Sequence, residues 1–248
     1  MNAELYALTH RGNAGDLAFY QDICRGARRV LELGSGYGRL LLALAAPKRQ
    51  LVGLERDMQF LALARRNLRQ LPEAKRKAIR LLHGDMTDFT IEPGFERILL
   101  PYNTLYCLLT RRAALSCFRA ARRALLPGGT LAFDVWNAES FQHNALPPRS
   151  STDNEPIVTL EHARRTWDVF EQLRVRRAQQ RLLASYTYLP RGGGSAVCIP
   201  IAQRYYLADE LTALLDRAGF AVEARFGDFS RKRYVSRSPQ QIVLARAI

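Results

Sequence analysis

The sequence predicts an α/β fold: a parallel sheet covered by helices, a last strand that runs antiparallel, and an inserted antiparallel β-ribbon. Three observations indicate this. Short apolar runs alternate with helical patterns through residue 135. That rhythm then gives way to β-compatible segments around the triple glycine 192–194. Finally, two strand-like runs end the chain without a helix between them.

The first part of the chain predicts five strands with helices between them. The strands are predicted at 28–33, 50–54, 79–85, 97–100 and 130–135, and the helices at 39–45, 58–70 and 111–125. Strands and helices in this alternation form right-handed crossovers and a parallel sheet. Continuous apolar strands, rather than alternating ones, indicate a sheet buried on both faces.

The segment 157–206 departs from this rhythm. Two β-compatible runs, 182–189 and 196–199, flank Pro190 and the triple glycine, which is a hairpin signal. We therefore predict an inserted ribbon of two or three antiparallel strands. After it, a helix opens at Ala208 and is capped by Gly219.

Two strands, 220–226 and 241–247, close the chain. No helix joins them, so the last strand should run antiparallel. The sheet then has seven strands. We predict one ligand-binding domain from 1–150 and 207–248, with 151–206 as an inserted substrate lid.

Composition sets the broad class. The chain has 248 residues, 48% of them hydrophobic and 24% charged, as in ordinary folded domains. No apolar run reaches the roughly 18 residues that span a bilayer, and the first residues do not resemble a signal peptide. The four cysteines are scattered. We therefore expect a cytoplasmic protein with free thiols, not associated with membranes.

The charge balance is strongly basic, with 37 basic against 23 acidic residues and a formal net charge of +14. The excess is almost entirely arginine and is spread evenly along the chain, without a basic tail. A generally basic surface is the favoured interpretation. An anionic small-molecule acceptor is compatible with it, whereas a nucleic-acid partner is not favoured but stays open.

A glycine cluster stands where the first strand turns into a helix: Glu32-Leu33-Gly34-Ser35-Gly36-Tyr37-Gly38. Glycines there let the backbone approach a ligand, and the helix N-terminus supplies free amides. A nicotinamide-dinucleotide fingerprint needs glycine where Arg39 stands, so that class of cofactor is excluded.

Two further acids end the next two strands. Glu55 can accept both hydroxyls of a ribose, with Arg56 beside it. Asp85 offers an acceptor for an adenine amino group, and Met86 an apolar surface for the ring. The carboxyl ends of parallel strands share one edge of the sheet, where ligands of open α/β folds bind.

In this order the motifs resemble those of class I S-adenosylmethionine-dependent methyltransferases, whose fold is a Rossmann-like seven-stranded sheet. The resemblance rests on 30–39, 53–55, 84–86, 126–130 and 210–220. It implies S-adenosylmethionine as the cofactor and S-adenosylhomocysteine as the product. Gly34, Ser35, Gly36 and Gly38 would surround the methionyl part, and Glu32 would order the loop or touch the amino group.

A finer likeness is to the small-molecule N- and O-methyltransferases of that class. Residues 15–20 are similar to their leading helix, whose tyrosine often closes over the sulfonium, so Tyr20 is a candidate and Tyr6 a weaker one. Residues 101–108 are similar to their stretch after the fourth strand, but Cys107 stands where a histidine is frequent. The likeness implies methyl transfer to nitrogen or oxygen of a small, secondary-metabolite-like acceptor.

Candidate catalytic and substrate residues follow from position. His143, after the fifth strand, is the best candidate for a general base, and Tyr20 is the second catalytic candidate. Polar and aromatic side chains near the ligand edge and on the ribbon are candidates to line the acceptor site. They are Tyr102, Asn103, Tyr106, Trp136, His143 and Tyr186.

Some alternatives stay open at this point. Histidines and cysteines lack ligand spacing, so we expect no metal. An RNA- or protein-directed methyltransferase is one alternative, and a non-catalytic cofactor-binding scaffold is another. The ribbon has open edges, which are compatible with a monomer or with a homodimer formed through them.

Overall fold

A computed structural model describes residues 2–142 and 155–248. Its helices are α1 Ala3–Thr9, α2 Asp16–Ile23, α3 Arg39–Leu44, α4 Met58–Leu68, α5 Glu73–Arg76, α6 Arg111–Ala124, α7 Ala138–Gln142 and α8 Ala208–Asp216. Its strands are β1 Arg29–Leu33, β2 Gln50–Glu55, β3 Ile79–His83, β4 Phe95–Leu100, β5 Leu125–Trp136, β6 Val158–His162, β7 Arg165–Arg176, β8 Arg181–Pro190, β9 Val197–Arg204, β10 Phe220–Phe226 and β11 Gln240–Ala247.

Seven strands form the main sheet in the order β10-β11-β5-β4-β1-β2-β3. Strands β1 to β5 pair in parallel, whereas β11 is antiparallel to both β5 and β10. The predicted parallel sheet with a reversed last strand is therefore confirmed. The order of the strands places the ends of β1, β2 and β3 side by side at one edge.

The main sheet is buried on both faces. In β1, Leu31 and Leu33 belong to the cluster that packs under α6 and α8. Val30, the residue before Leu31, belongs to the cluster that packs under α2 and α3. Successive side chains of a strand point to opposite faces, which explains why the strands read as continuous apolar runs.

The insertion is larger than the predicted ribbon. It forms a separate four-stranded antiparallel sheet in the order β6-β7-β8-β9. The hairpin around the triple glycine is present, because β8 and β9 pair on either side of it. The additional hairpin joins β6 to β7, and its turn contains neither glycine nor proline, so no turn is evident there from the sequence.

One element boundary also differs from expectation. Proline and two glycines at 127–129 were expected to separate α6 from its strand, yet β5 already begins at Leu125. Leu125 is buried and pairs with Phe95 of β4, which extends the strand backwards through the proline. His143 and the first residues of the predicted lid, up to 154, lie outside the described residues. Within the described ranges, no helix is long and apolar enough to cross a bilayer.

Helix α1 attaches the inserted sheet to the rest of the molecule. Leu5 is completely buried in the cluster formed by Trp167, Val169 and Tyr188, and Glu4 contacts His162 at 3.2 Å. The N-terminal helix therefore contributes to the core of a sheet that lies more than 150 residues later in the chain.

Replacing Leu5 by alanine should lower the free energy of unfolding by about 2–5 kcal/mol, because it leaves a cavity in this core. Thermal and denaturant unfolding would measure the loss. Leu183→Ala is the matched control, since Leu183 lies on the exposed side of the inserted sheet. An equal loss in both variants would show that α1 does not anchor the sheet.

Candidate active site

A cavity of about 740 Å³ opens at the carboxyl edge of the main sheet. The segments that follow β1, β2, β3 and β4 each contribute to its wall, and α1 contributes Tyr6. The lining includes Gly34, Gly36, Glu55, Arg56, Asp85, Met86, Thr87, Thr104 and Cys107. The structure thus brings the predicted glycine loop and two of the predicted acids to one site.

The loop between β1 and α3 needs glycine at two positions. Gly34 and Gly36 have φ angles of +68° and +55°, in the left-handed region. A Cβ on Gly34 would lie 2.5 Å from Cγ2 of Thr104, whereas a Cβ on Gly36 would meet open space. The backbone at Gly36 is therefore accessible to a ligand. Gly38 begins α3 as its N-cap and is buried below the loop.

Ser35 and Glu32 lie beneath the loop and are not part of the cavity wall. Ser35 faces β2, where a Cβ on Gly53 would lie 2.8 Å from its Oγ. Glu32 is only 3% exposed, and its Oε2 has no hydrogen-bond partner among the described residues. Burial raises the pKa of Glu32 to about 8, although Arg39 lowers it. Glu32 is therefore mainly protonated at neutral pH.

Glu55 joins the loop to the end of β2. Its Oε2 accepts a hydrogen bond of 2.8 Å from the backbone N–H of Gly36, and its Oε1 accepts one of 2.8 Å from that of Asp57. The side chain is half-buried and lines the cavity. A carboxylate in this position can exchange these amide donors for hydroxyl donors of a ligand.

Asp85 lies on the neighbouring wall. Its Oδ1 accepts hydrogen bonds from the backbone N–H and the hydroxyl of Thr87, at 2.8 and 2.7 Å. Partial burial raises its pKa, but these two bonds and Arg56 outweigh that effect, so the pKa is lowered below its ordinary value. Arg56 approaches Oδ2 at 3.5 Å with an exposed side chain. Asp85 is thus an ionised acceptor beside the apolar Met86.

The two tyrosine candidates have exchanged places relative to expectation. Tyr20 is completely buried, and its hydroxyl donates a 2.6 Å hydrogen bond to Oδ1 of Asp134 rather than facing the cavity. Tyr6 lines the cavity, with its ring 4.0 Å from that of His10 and 4.9 Å from that of Phe60. Tyr6, the weaker candidate, is the tyrosine that the structure brings to the site.

Four of the predicted acceptor-site residues meet where the turn after β4 packs on the end of β5. The backbone N–H of Trp136 donates a 2.6 Å hydrogen bond to Oδ1 of Asn103, and the hydroxyl of Tyr106 donates one of 2.6 Å to the carbonyl of Trp136. Asn103 and Tyr106 are buried, whereas Tyr102 and Trp136 are half-buried. Buried polar contacts of this kind fix the shape of the turn.

Tyr186 lies on the inserted sheet. Its hydroxyl donates a 2.7 Å hydrogen bond to Oε1 of Glu171, and its ring meets that of His10 edge-on at 4.4 Å. His10 in turn contacts Tyr6. Tyr186 is therefore separated from the cavity by His10. His143 lies outside the described residues.

Several cavity residues were not among the predicted site residues. Thr104, Cys107 and Thr87 occur inside or beside the sequence motifs of the site, and Phe60 lies on α4. Cys107 carried the best available signal, because it stands at the position where similar proteins often have histidine. Phe60 carried none, since an aromatic residue on a helix reads as ordinary core.

The protonation of Glu32 should make stability depend on pH. Its folded pKa of about 8 exceeds its ordinary value of 4.5, so the folded state holds a proton that the unfolded chain has released. Between these values, stability should therefore fall as pH rises, on the order of 1 kcal/mol per pH unit. Glu32→Gln should remove that slope in denaturant unfolding.

The matched control for this measurement is Glu73→Gln, because Glu73 is an exposed acid on α5. It should keep the slope of the wild-type protein. A Glu32→Gln variant with an unchanged slope would show that Glu32 is ionised in the folded state.

Part of the chain matches a known protein family. Residues 30–129 match the family described as Methyltransferase domain. The protein named Putative methyltransferase YqeM, from Bacillus subtilis, is 27% identical over 108 residues. That match covers 43% of this chain and 42% of the relative, so the matched region spans less than half of the curated relative's length.

Solved structures match over nearly the whole chain. The CcbJ methyltransferase from Streptomyces caelestis is 26% identical, with a TM-score of 0.78 over 94% of this chain and 95% of its own. CalS10, an amino pentose methyltransferase from Micromonospora echinaspora solved with bound S-adenosylmethionine, shares the fold at 20% identity, with a TM-score of 0.71 over 100% and 98% of the two chains. With its seven-stranded sheet and reversed last strand, the chain shares the fold of these methyltransferases, and its residues 30–129 match a methyltransferase domain.

Proposed function

We propose that this protein transfers a methyl group from S-adenosylmethionine to a nitrogen or oxygen of a small-molecule acceptor. The observation that carries the proposal is the single cavity in which the glycine loop, Glu55 and Asp85 meet. The likeness in fold to an amino pentose methyltransferase supports a small acceptor.

The cavity fits the cofactor in its donor set and its volume. The exposed backbone at Gly36 and the loop 34–38 would hold the methionyl part. The carboxylate of Glu55 would accept the ribose hydroxyls. Asp85 and Met86 would bind the adenine, with Arg56 at the rim, and the buried carboxyl of Glu32 would support the loop from below.

When bound, S-adenosylmethionine supplies an electrophilic methyl group on a cationic sulfur. The chain's own residues position the reactants and exclude water, which can supply much of the acceleration in a displacement reaction. Tyr6 covers one wall of the cavity, and Thr104 and Cys107 form another. An amine acceptor needs only to be neutral and aligned, whereas a hydroxyl acceptor also needs a base.

We assign the role of base to His143, which directly follows the last residue of α7 in the sequence. Tyr20 is assigned no contact with the reacting atoms, because its hydroxyl is engaged by Asp134 in the core. We further propose that the inserted sheet serves as the substrate lid. Its support is the contact of Tyr186 with His10, which packs on Tyr6 of the cavity. The excess of basic residues supports an anionic acceptor.

Changing Glu55 to alanine should weaken cofactor binding by on the order of 1–3 kcal/mol, because the ribose hydroxyls would lose their acceptor. Calorimetric titration with S-adenosylmethionine and S-adenosylhomocysteine measures this. Glu73→Ala is the control, because Glu73 is an exposed acid on α5 that does not line the cavity. An unchanged affinity in Glu55→Ala would remove Glu55 from the site.

The activity itself is tested with methyl-labelled S-adenosylmethionine and a panel of small amines and alcohols, including amino sugars and their phosphate esters. We expect labelled product from at least one acceptor with the wild-type chain and much less with Glu55→Ala. Absence of cofactor binding at millimolar concentration would refute the proposal outright.

Changing Gly34 to alanine should also reduce cofactor affinity, by about tenfold or more, since the left-handed backbone and the contact with Thr104 both resist a Cβ. Gly128→Ala is a close control: Gly128 has a similar φ of +74° but open space around it. If both variants bind the cofactor like the wild type, the glycine loop does not form part of the cofactor site.

A further inference from the structure

The turn that follows β4 has an unusual backbone. Tyr102 and Asn103 are consecutive non-glycine residues with φ angles of +57° and +59°. Residues with side chains rarely adopt this left-handed conformation, and they keep it only where the surroundings enforce it. The next residue, Thr104, lines the cofactor cavity and touches the glycine loop. The shape of this turn therefore sets one wall of the site.

Asp134 of β5 holds both left-handed residues. Its Oδ1 accepts a 2.9 Å hydrogen bond from the backbone N–H of Tyr102. Its backbone carbonyl accepts one of 3.1 Å from the N–H of Asn103. Asn103 adds a third hydrogen bond between the turn and β5, because its Oδ1 accepts from the backbone N–H of Trp136. Two backbone amides of the turn thus depend on one residue.

The carboxylate of Asp134 is in turn held from α2 and from the segment before it. The hydroxyl of Tyr20 donates to Oδ1 at 2.6 Å, and Nδ2 of Asn13 lies 3.4 Å from Oδ2. Tyr20 and Asp134 are both completely buried. The N–H of Asn13 donates to Asp16, which forms two hydrogen bonds with Arg39, the first residue of α3. A chain of buried and half-buried contacts thus connects the helix after the glycine loop with the turn after β4.

We propose that Tyr20 is a positioning residue, which acts through Asp134 to hold the strained turn 101–104 against the glycine loop. This role differs from closure over the sulfonium, which is what the sequence suggested for Tyr20. The proposal rests on the proposed function only for its effect on turnover; its effect on the turn can be measured on the protein alone.

The strength of the hydrogen bonds that Tyr102 and Tyr20 donate to Asp134 should depend on the charge of its carboxyl group. Burial raises the pKa of the Asp134 carboxyl, and the charge of Asp16 raises it further. The hydrogen bonds from Tyr20 and Tyr102 and the charge of Arg39 lower this pKa, and the net result is about 6. These are the groups that face it. A carboxylate accepts hydrogen bonds more strongly than a protonated acid, so the turn should loosen as pH falls through this value. Loss of the Tyr20 hydroxyl should move that transition to higher pH.

Hydrogen exchange of the full-length protein, followed by mass spectrometry of peptides covering 99–108, tests the proposal without any ligand. Tyr20→Phe should exchange the Tyr102 and Asn103 amides several-fold faster than the wild type at pH 7, with the pH transition shifted upward after correction for intrinsic rates. The control is Tyr205→Phe, which removes an equally buried hydroxyl that bonds Gln142 instead. It should exchange these amides like the wild type.

Asp134→Asn provides the second variant. It keeps an oxygen acceptor for Tyr20 and Tyr102 but cannot ionise, so its exchange in 99–108 should lose the transition near pH 6. With any acceptor found by the labelled-methyl panel, Tyr20→Phe should lower kcat about tenfold and leave the dissociation constant of S-adenosylhomocysteine within about twofold.

The outcomes separate the two proposals. Wild-type exchange in Tyr20→Phe, or the same acceleration in Tyr205→Phe, overturns the positioning role whatever the activity. If Tyr20→Phe does not fold, a wild-type pH profile in Asp134→Asn overturns it equally. Failure of the wild-type chain to methylate any acceptor, with the exchange pattern as expected, would refute the proposed function and leave the role of Tyr20 in the turn supported.

Discussion

The site depends on the hydrogen bonds that fasten the glycine loop to the end of β2. The backbone N–H groups of Gly34 and Ser35 both donate to the carbonyl of Leu54, at 2.8 and 3.1 Å. The next amide, that of Gly36, donates to the side chain of Glu55. Three successive donors of the loop are thereby satisfied by two successive residues of the neighbouring strand. As a result the glycine loop and Glu55 form one unit whose geometry is set before any ligand binds.

This unit is bordered by two buried acids on one face of the sheet. Glu32 on β1 and Asp134 on β5 each stand two residues after a member of the same apolar cluster, Val30 and Ala132, and residues two apart in a strand share a face. Burial raises the pKa of both, to about 8 and about 6. Buried acids lower the stability of a fold when they ionise, so their concentration at the functional edge indicates a role in the site rather than in the core.

Much of this could be predicted from the sequence because the information is local. The glycine loop and Asp85 follow a strand within a few residues and Glu55 ends one, and parallel strands bring their ends together whatever the rest of the chain does. The two tyrosines were different. Tyr6 and Tyr20 both lie on short helices before β1, and which of them faces the cavity depends on how those helices pack. Similarly, the turn between β6 and β7 has no glycine or proline, so the sequence carries no local signal for this hairpin of the inserted sheet.

The position of Tyr6 also shows why the inserted sheet and the cavity are not independent. Leu5 and Tyr6 are neighbours on α1, and successive helical residues point about 100° apart. Leu5 is therefore buried in the core of the inserted sheet while Tyr6 faces the cofactor cavity. A rotation of α1 that moved Tyr6 out of the cavity would have to pull Leu5 out of that core. Because a packed core resists such a displacement, the inserted sheet holds the wall of the cofactor site in place, although none of its own residues lines that cavity among those described.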